Sequence, residues 1–295
     1  MAVFTGSGVA LVTPFDEKNQ VNFEKLQELI EYHITNQTDA IIVVGTTGEG
    51  STLSEEEHAE VIRQSVAIAD HRIPIIAGTG SNCTETAIKL SKGADEDGAD
   101  AVLVVTPYYN KATQKGLIAH YTAIAKSINI PVIMYNVPSR TGCKLMPETI
   151  AALVNGVDNI VGVKDATGDL SVASKTMLLT NGECELYSGE DGLVIPLLSV
   201  GGCGVISVLA NIAPKEAHDI VLEYLKGDQK KAVDLQLRVL PLVDALFSEV
   251  NPIPVKYAMN AMGMNVGSLR APLTDMDPVP GAKLIEEMKK FGVMA

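Results

Sequence analysis

Tryptophan is absent from this 295-residue chain, and all aromatic residues together make up 4% of it, leaving few platforms on which bases or sugars could stack. Positive charge is scarce too. Acids outnumber bases 36 to 23, giving a formal net charge of -13 with no basic block, so a nucleic-acid partner is not expected. The four cysteines, Cys83, Cys143, Cys184 and Cys203, lie far apart and form no CxxC pair. They are too few to staple a chain of this size and read as buried small hydrophobes in a reducing compartment. The five histidines, His33, His58, His71, His120 and His218, have no paired ligand spacing, so no metal is expected. The start, MAVFTGSGVALVTPFDEK, lacks a basic leader and its apolar run stops at Pro14, which argues against a signal peptide. One uncharged stretch, from Gly192 to Pro214, is long enough to suggest a membrane span. Pro196, Gly201, Gly202, Gly204 and Asn211 interrupt it, and it reads as a buried helix followed by a buried strand. The expectation is a soluble, cytoplasmic protein with no membrane partner.

What the chain does have is apolar material in a regular rhythm. Hydrophobic residues make up 46% and the mean hydropathy is +0.19, ample for a large core. Short β-branched runs recur at Val9–Val12, Ala40–Val44, Ile73–Ala77, Ala101–Val105, Val132–Tyr135, Ile160–Lys164, Glu185–Ser188 and Val205–Val208. They are almost continuously hydrophobic, as strands buried on both faces of a parallel sheet must be. The stretches between them carry helical signals. Phe23, Leu26, Leu29, Ile30 and Ile34 fall at three- and four-residue steps, and Ser54 with Glu57 forms a capping box. Eight strands joined by crossover helices predict an α/β fold, a (β/α)8 TIM barrel, rather than an open sheet. After Asn211 only helical periodicity remains, at 214–225, 229–247 and 282–291. The expected organisation is a barrel with the active site over 1–212 and a C-terminal helical appendage over 213–295.

Active sites of such barrels gather at the C-terminal ends of the strands, and here those ends carry reactive residue types. The second strand runs into GTTGE (Gly45–Glu49), the fourth into Thr106, Pro107, Tyr108 and Tyr109, the fifth into Tyr135 and Asn136, the sixth into Lys164 and Asp165, and the seventh into SGED (Ser188–Asp191). Lys164 stands out because IVGVKDATG sets it directly behind an apolar strand, whereas an ordinary lysine is a solvated surface charge. An ammonium in that position must be paired or lose its proton, and a neutral amine is a nucleophile toward carbonyls, so the residue is a candidate for Schiff-base formation. Tyr135 and Tyr109 are either packing tyrosines or proton carriers, with Thr47 able to supply an intervening hydroxyl. The GTTGEGST stretch resembles a phosphate loop in its glycine spacing, but Ser51 stands where that motif needs its lysine. It can still serve as a small-anion cradle or as a plain tight turn. Arg140, in YNVPSRTG, is either a surface ion-pair partner or a bidentate grip on a carboxylate.

Taken together, GTTGE, TPYYN, YNVPSRTG, VKDATG, GVIS and NPIPVK, in this order, resemble the 4-hydroxy-tetrahydrodipicolinate (dihydrodipicolinate) synthase family over essentially the whole chain. The glycine-threonine turn and the strand lysine are shared with N-acetylneuraminate lyase and keto-deoxy sugar acid aldolases, and Arg140 is what separates the synthases. A related aldolase acting on a sugar acid, and a barrel that has lost catalysis, are the competing readings. The resemblance implies a class I aldolase with no cofactor beyond the imine on Lys164. The expected reaction condenses pyruvate with L-aspartate 4-semialdehyde, on the route to diaminopimelate and lysine. It implies that Thr46 and Thr47 hold the pyruvate carboxylate and that Tyr135, Thr47 and Tyr109 relay protons, Tyr109 reaching into a neighbouring subunit. Arg140 would bind the second carboxylate, Gly189 and Ile206 would line the pocket, and a homotetramer of tight dimers is expected. In lysine-inhibited relatives a pocket between subunits binds the amino acid. His58, Asn82 and Tyr108 match that set, but Gly50, Glu55 and Thr86 depart from it, so lysine inhibition is expected to be weak or absent.

Overall fold

The computed structural model describes residues 2–294. Eight parallel strands close in sequence order into a barrel: β1 (Gly6–Ala10), β2 (Ala40–Val43), β3 (Ile75–Gly78), β4 (Ala101–Val105), β5 (Val132–Asn136), β6 (Ile160–Asp165), β7 (Glu185–Ser188) and β8 (Gly204–Ser207). Between them run α1 (Phe23–Thr35), α2 (Glu55–Ala69), α3 (Thr84–Glu96), α4 (Gln114–Ala125), the short α5 (Pro138–Thr141), α6 (Pro147–Gly156), α7 (Leu170–Leu179) and α8 (Val194–Ser199). Then come α9 (Pro214–Leu225), α10 (Gln229–Leu246), α11 (Ile253–Ala261) and α12 (Pro278–Phe291). This is the (β/α)8 barrel with a helical C-terminal part that the apolar rhythm predicts. Among the described residues, no helix is long and apolar enough to cross a membrane.

The two faces of each strand feed two separate cores. Val9, Ile41, Ile75, Val102, Met134, Val163 and Val205 point outward against the helices. Ala10, Ile42, Ile76, Leu103, Ile133, Tyr135 and Ile206 fill the barrel interior. That alternation explains why the runs look uniformly hydrophobic: both faces are dry. β1 differs most from its sequence-based limits, beginning at Gly6 rather than Val9, while β3 begins two residues late at Ile75 and β8 one early at Gly204. The barrel closes between β1 and β8 through glycines that a hydrophobic pattern does not register. A Cβ on Gly204 would lie 2.1 Å from the Gly6 carbonyl oxygen. Only a bare backbone lets these strands meet.

Helix α2 starts at the expected capping box. Ser54 N donates to Glu57 Oε2 at 2.9 Å and Glu57 N donates to Ser54 Oγ at 3.2 Å. Helix α11 was not foreseen; it opens in NPIPVK with Pro254 in its first turn, where a missing N–H does no harm. Helix α9 lies beyond the proposed division at 212/213 yet packs on β1 and β8 as well as on α10. The division therefore stays a proposal about organisation rather than a break in packing. Of the cysteines, Cys143 and Cys184 are buried and Cys203 is half-buried, but Cys83 is exposed, because it caps the N-terminus of α3 instead of joining its apolar face.

Candidate active site

The strand alternation decides where Lys164 goes. In β6 Val163 turns outward into the helix-facing core, so Lys164 turns inward, paired across the sheet with Tyr135 of β5 and Tyr187 of β7. It is 6% exposed. Its Nζ sits 4.4 Å from the centroid of the Tyr135 ring and has no hydrogen-bonding or ion-pair partner among the described residues. Burial pulls its pKa down to about 8; Arg140 pulls the same way and Asp191 opposes both. Asp165, its neighbour in sequence, faces the other way and takes the Thr167 amide at 2.8 Å, so it forms a turn and is not among the charges acting on the amine.

Asp191 is the carboxylate the amine feels. It is buried, and it accepts from Ser207 Oγ and from the amides of Val208 and Leu209, the latter two at 3.0 Å each. Burial raises its pKa, and these three donors together with Lys164 oppose that rise. Glu190, half-buried on the cavity wall, has its pKa raised by burial and by the nearby Asp165 and Asp191 carboxylates.

The threonine turn follows β2. Its backbone closes on itself, with Glu49 N donating to Thr46 O and Gly50 N to Gly45 O, both at 3.1 Å. Gly50 is required, since a Cβ there would lie 2.1 Å from the Val44 carbonyl oxygen. The two threonines part company. The Thr46 hydroxyl lies beside the Tyr135 phenol, where it helps to lower a pKa that burial raises overall. Thr47 instead accepts from Asn251 Nδ2 at 2.9 Å. The hydroxyl next to Tyr135, expected to be that of Thr47, is therefore that of Thr46.

Arg140 occupies the last turn of α5 at the cavity rim, where Nη2 donates to the Asn251 carbonyl at 3.0 Å. Gly189 lines the cavity, and a Cβ there would meet Ala166 Cβ at 2.7 Å. Ile206, next to the last residue of β8, faces the barrel interior in one cluster with Ile42 and Tyr135, both of which line the cavity. Tyr109 does not join the site of its own chain: it is 89% exposed, with φ +74, and lies off the cavity wall.

The cavity encloses about 1130 Å³ above the barrel. Thr46, Thr47, Tyr135, Arg140, Lys164 and Glu190 line it, and its wall also includes Ser51, His58, Ser81, Thr86, Leu90 and Tyr108. No group of three or more His, Cys, Asp or Glu side chains among the described residues could hold a metal ion. What the cavity offers is an amine able to lose its charge, a phenol, two hydroxyls and a guanidinium above the buried barrel interior, a set suited to carbonyl chemistry on small carboxylates.

A family model described as the dihydrodipicolinate synthetase family matches residues 3–289. The chain belongs to the dihydrodipicolinate synthetase family. It is 59% identical over 294 residues to the 4-hydroxy-tetrahydrodipicolinate synthase of Lachnoclostridium phytofermentans, covering 100% of both chains. Among solved structures of the family, the dihydrodipicolinate synthase from Aquifex aeolicus superposes with a TM-score of 0.96 at 43% identity, covering 99% of that chain and 98% of this one. The chloride-inhibited enzyme from Acinetobacter baumannii, solved in complex with pyruvate, gives a TM-score of 0.96 at 45% identity, with 98% of this chain and 99% of that chain covered.

The sequence reading missed Asn251, Asp191, Glu190 and Lys256. Asn251 and Lys256 stand in NPIPVK, which carried the resemblance without any assigned role. Asp191 and Glu190 stand in SGED, where the strand end was noted but not the amides that would anchor one of the two carboxylates.

Proposed function

We infer that this chain condenses pyruvate with L-aspartate 4-semialdehyde to give 4-hydroxy-tetrahydrodipicolinate, in diaminopimelate and lysine biosynthesis, through an imine on Lys164. The observation that carries the assignment to Lys164 is its buried amine, which no carboxylate pairs and whose pKa lies near 8. The neutral amine attacks the ketone carbon of pyruvate, and the resulting carbinolamine loses its hydroxyl as water once a proton is delivered from Tyr135. Thr46 passes protons to and from that phenol. Loss of a methyl proton from the imine gives an enamine, whose terminal carbon bonds to the aldehyde carbon of the second substrate. The substrate amine then attacks the imine carbon, closes the ring and releases Lys164. The lysine itself serves as the electron sink, so the chemistry needs no external cofactor.

Thr46 and Thr47 hold the pyruvate carboxylate, Arg140 takes that of the semialdehyde, and Gly189 leaves room beside them. Tyr109 completes the relay from a second copy of the chain, which is why its side chain faces outward here. That arrangement makes a tight dimer the working unit, and we place the enzyme in the cytoplasm as a homotetramer of such dimers. The decisive experiment incubates the protein with pyruvate and borohydride, then reads intact mass and maps the modified peptide. A single reduced pyruvate adduct on Lys164 is expected, followed by turnover when semialdehyde is supplied. An unmodified chain, or an adduct on another lysine, would refute the assignment.

A further inference from the structure

The NPIPVK segment touches the threonine turn at both ends. Asn251 at its start reaches Thr47, and Lys256, five residues on, places Nζ 2.6 Å from Glu49 Oε1 in an ion pair with both side chains buried. Asn251 is itself only 6% exposed and lines the cavity, and its backbone carbonyl receives Arg140. Its Oδ1 is buried without a hydrogen-bond partner. Among the described residues its side-chain bonding is thus the single bond from Nδ2 to Thr47 Oγ1.

That bond has a direction, and the direction matters for an anion. A hydroxyl has one hydrogen and two lone pairs. Because the Asn251 amide donates, it occupies a lone pair of Thr47, and the Thr47 hydrogen has no acceptor among the described residues. It is left to point toward the cavity, which Thr47 lines. We infer that Asn251 is a positioning residue that sets the Thr47 hydroxyl as a donor toward the keto-acid carboxylate. This rests on the reading of the threonine turn as the pyruvate cradle. The same residue fixes Arg140 only through its backbone, so its side chain governs the first substrate and leaves the grip on the second intact.

Asn251→Asp tests this directly, since it keeps the shape but can only accept. Thr47 then donates to the new carboxylate and turns its hydrogen away from pyruvate. The measurement is the pyruvate concentration giving half-maximal borohydride trapping on Lys164, with semialdehyde KM and the melting temperature in parallel. Losing a hydrogen bond to a charged group should raise that concentration about tenfold or more. Asn251→Ala, which only frees the hydroxyl to rotate, should raise it less, and semialdehyde KM should stay within about twofold in both. Half-saturation unchanged in Asn251→Asp would overturn the inference, as would equal losses for both substrates, the mark of a general structural defect. If Asn251→Asp does not fold, a cycle of Asn251→Ala with Thr47→Val decides: the alanine effect should vanish in the valine background, and additive effects refute the coupling. Wild-type protein that forms no adduct would instead sink the function proposed above.

Discussion

Lys164 should make imine formation switch on as pH rises through about 8. An ordinary lysine with a pKa near 10.4 is neutral in about one molecule in 2500 at pH 7, whereas a pKa of about 8 makes that about one in eleven. The gain is on the order of 200-fold in nucleophile, with burial the first cause of the shift. The perturbation that probes it is Asp191→Asn. Asp191 opposes the loss of the proton, so removing its charge should move the midpoint down. Arg140→Ala should move it the other way, because the guanidinium disfavours the ammonium. The assay is the initial rate of reduced pyruvate adduct formation at saturating pyruvate, followed by mass between pH 6 and 10, with melting curves to establish folding. Below its midpoint the wild-type rate should climb about tenfold per unit and then level off. A wild-type midpoint near 10, or one unmoved by both substitutions, would refute the reasoning.

Arg140→Ala should also cost turnover with aspartate semialdehyde on the order of 100-fold while leaving borohydride trapping of pyruvate at neutral pH within about tenfold, since one buried-site charge-assisted bidentate contact is lost on one substrate only; steady-state kinetics beside the trapping assay separates the two. Lys256→Met strands Glu49 as an unpaired buried carboxylate and should destabilise the fold by about 3–5 kcal/mol in urea unfolding, with Glu49→Gln added to it recovering part of the loss. Lysine should inhibit weakly or not at all: the cavity wall presents Thr86 where an acidic group would be needed to hold an ammonium, and half-inhibition below about 1 mM would contradict this.

The barrel was legible because its strands are dry on both faces, so eight β-branched runs announce themselves without any knowledge of tertiary contacts. Lys164 was legible for the related reason that a charge inside such a run has nowhere wet to go. The ends of the barrel were not, because Gly6 and Gly204 owe their place to a backbone contact that leaves no room for a Cβ on Gly204, which no hydrophobic pattern encodes. Helix α11 was hidden by two prolines, which usually mark a loop; here Pro252 is the N-cap residue and Pro254 stands in the first turn. The charge that opposes burial of the amine lies on Asp191, 27 residues further along the chain, and reaches Lys164 only because β7 pairs with β6.

The choice between Thr46 and Thr47 shows where pattern reading stops. Along a strand, neighbouring residues face opposite sides, and the side of each follows from any one of them. That rule holds in β2 up to Val43, whose side chain faces the helices. It fails at the next residue, because Val44 takes φ +49 and breaks the alternation before either threonine is reached. From there the orientation of each hydroxyl depends on what the rest of the fold brings to it: the Tyr135 phenol from β5 for Thr46, and Asn251, 204 positions later, for Thr47. The turn was recognisable as an anion cradle because its residue types suffice for that. Its division of labour was not, because two adjacent identical side chains are told apart only by partners distant in sequence.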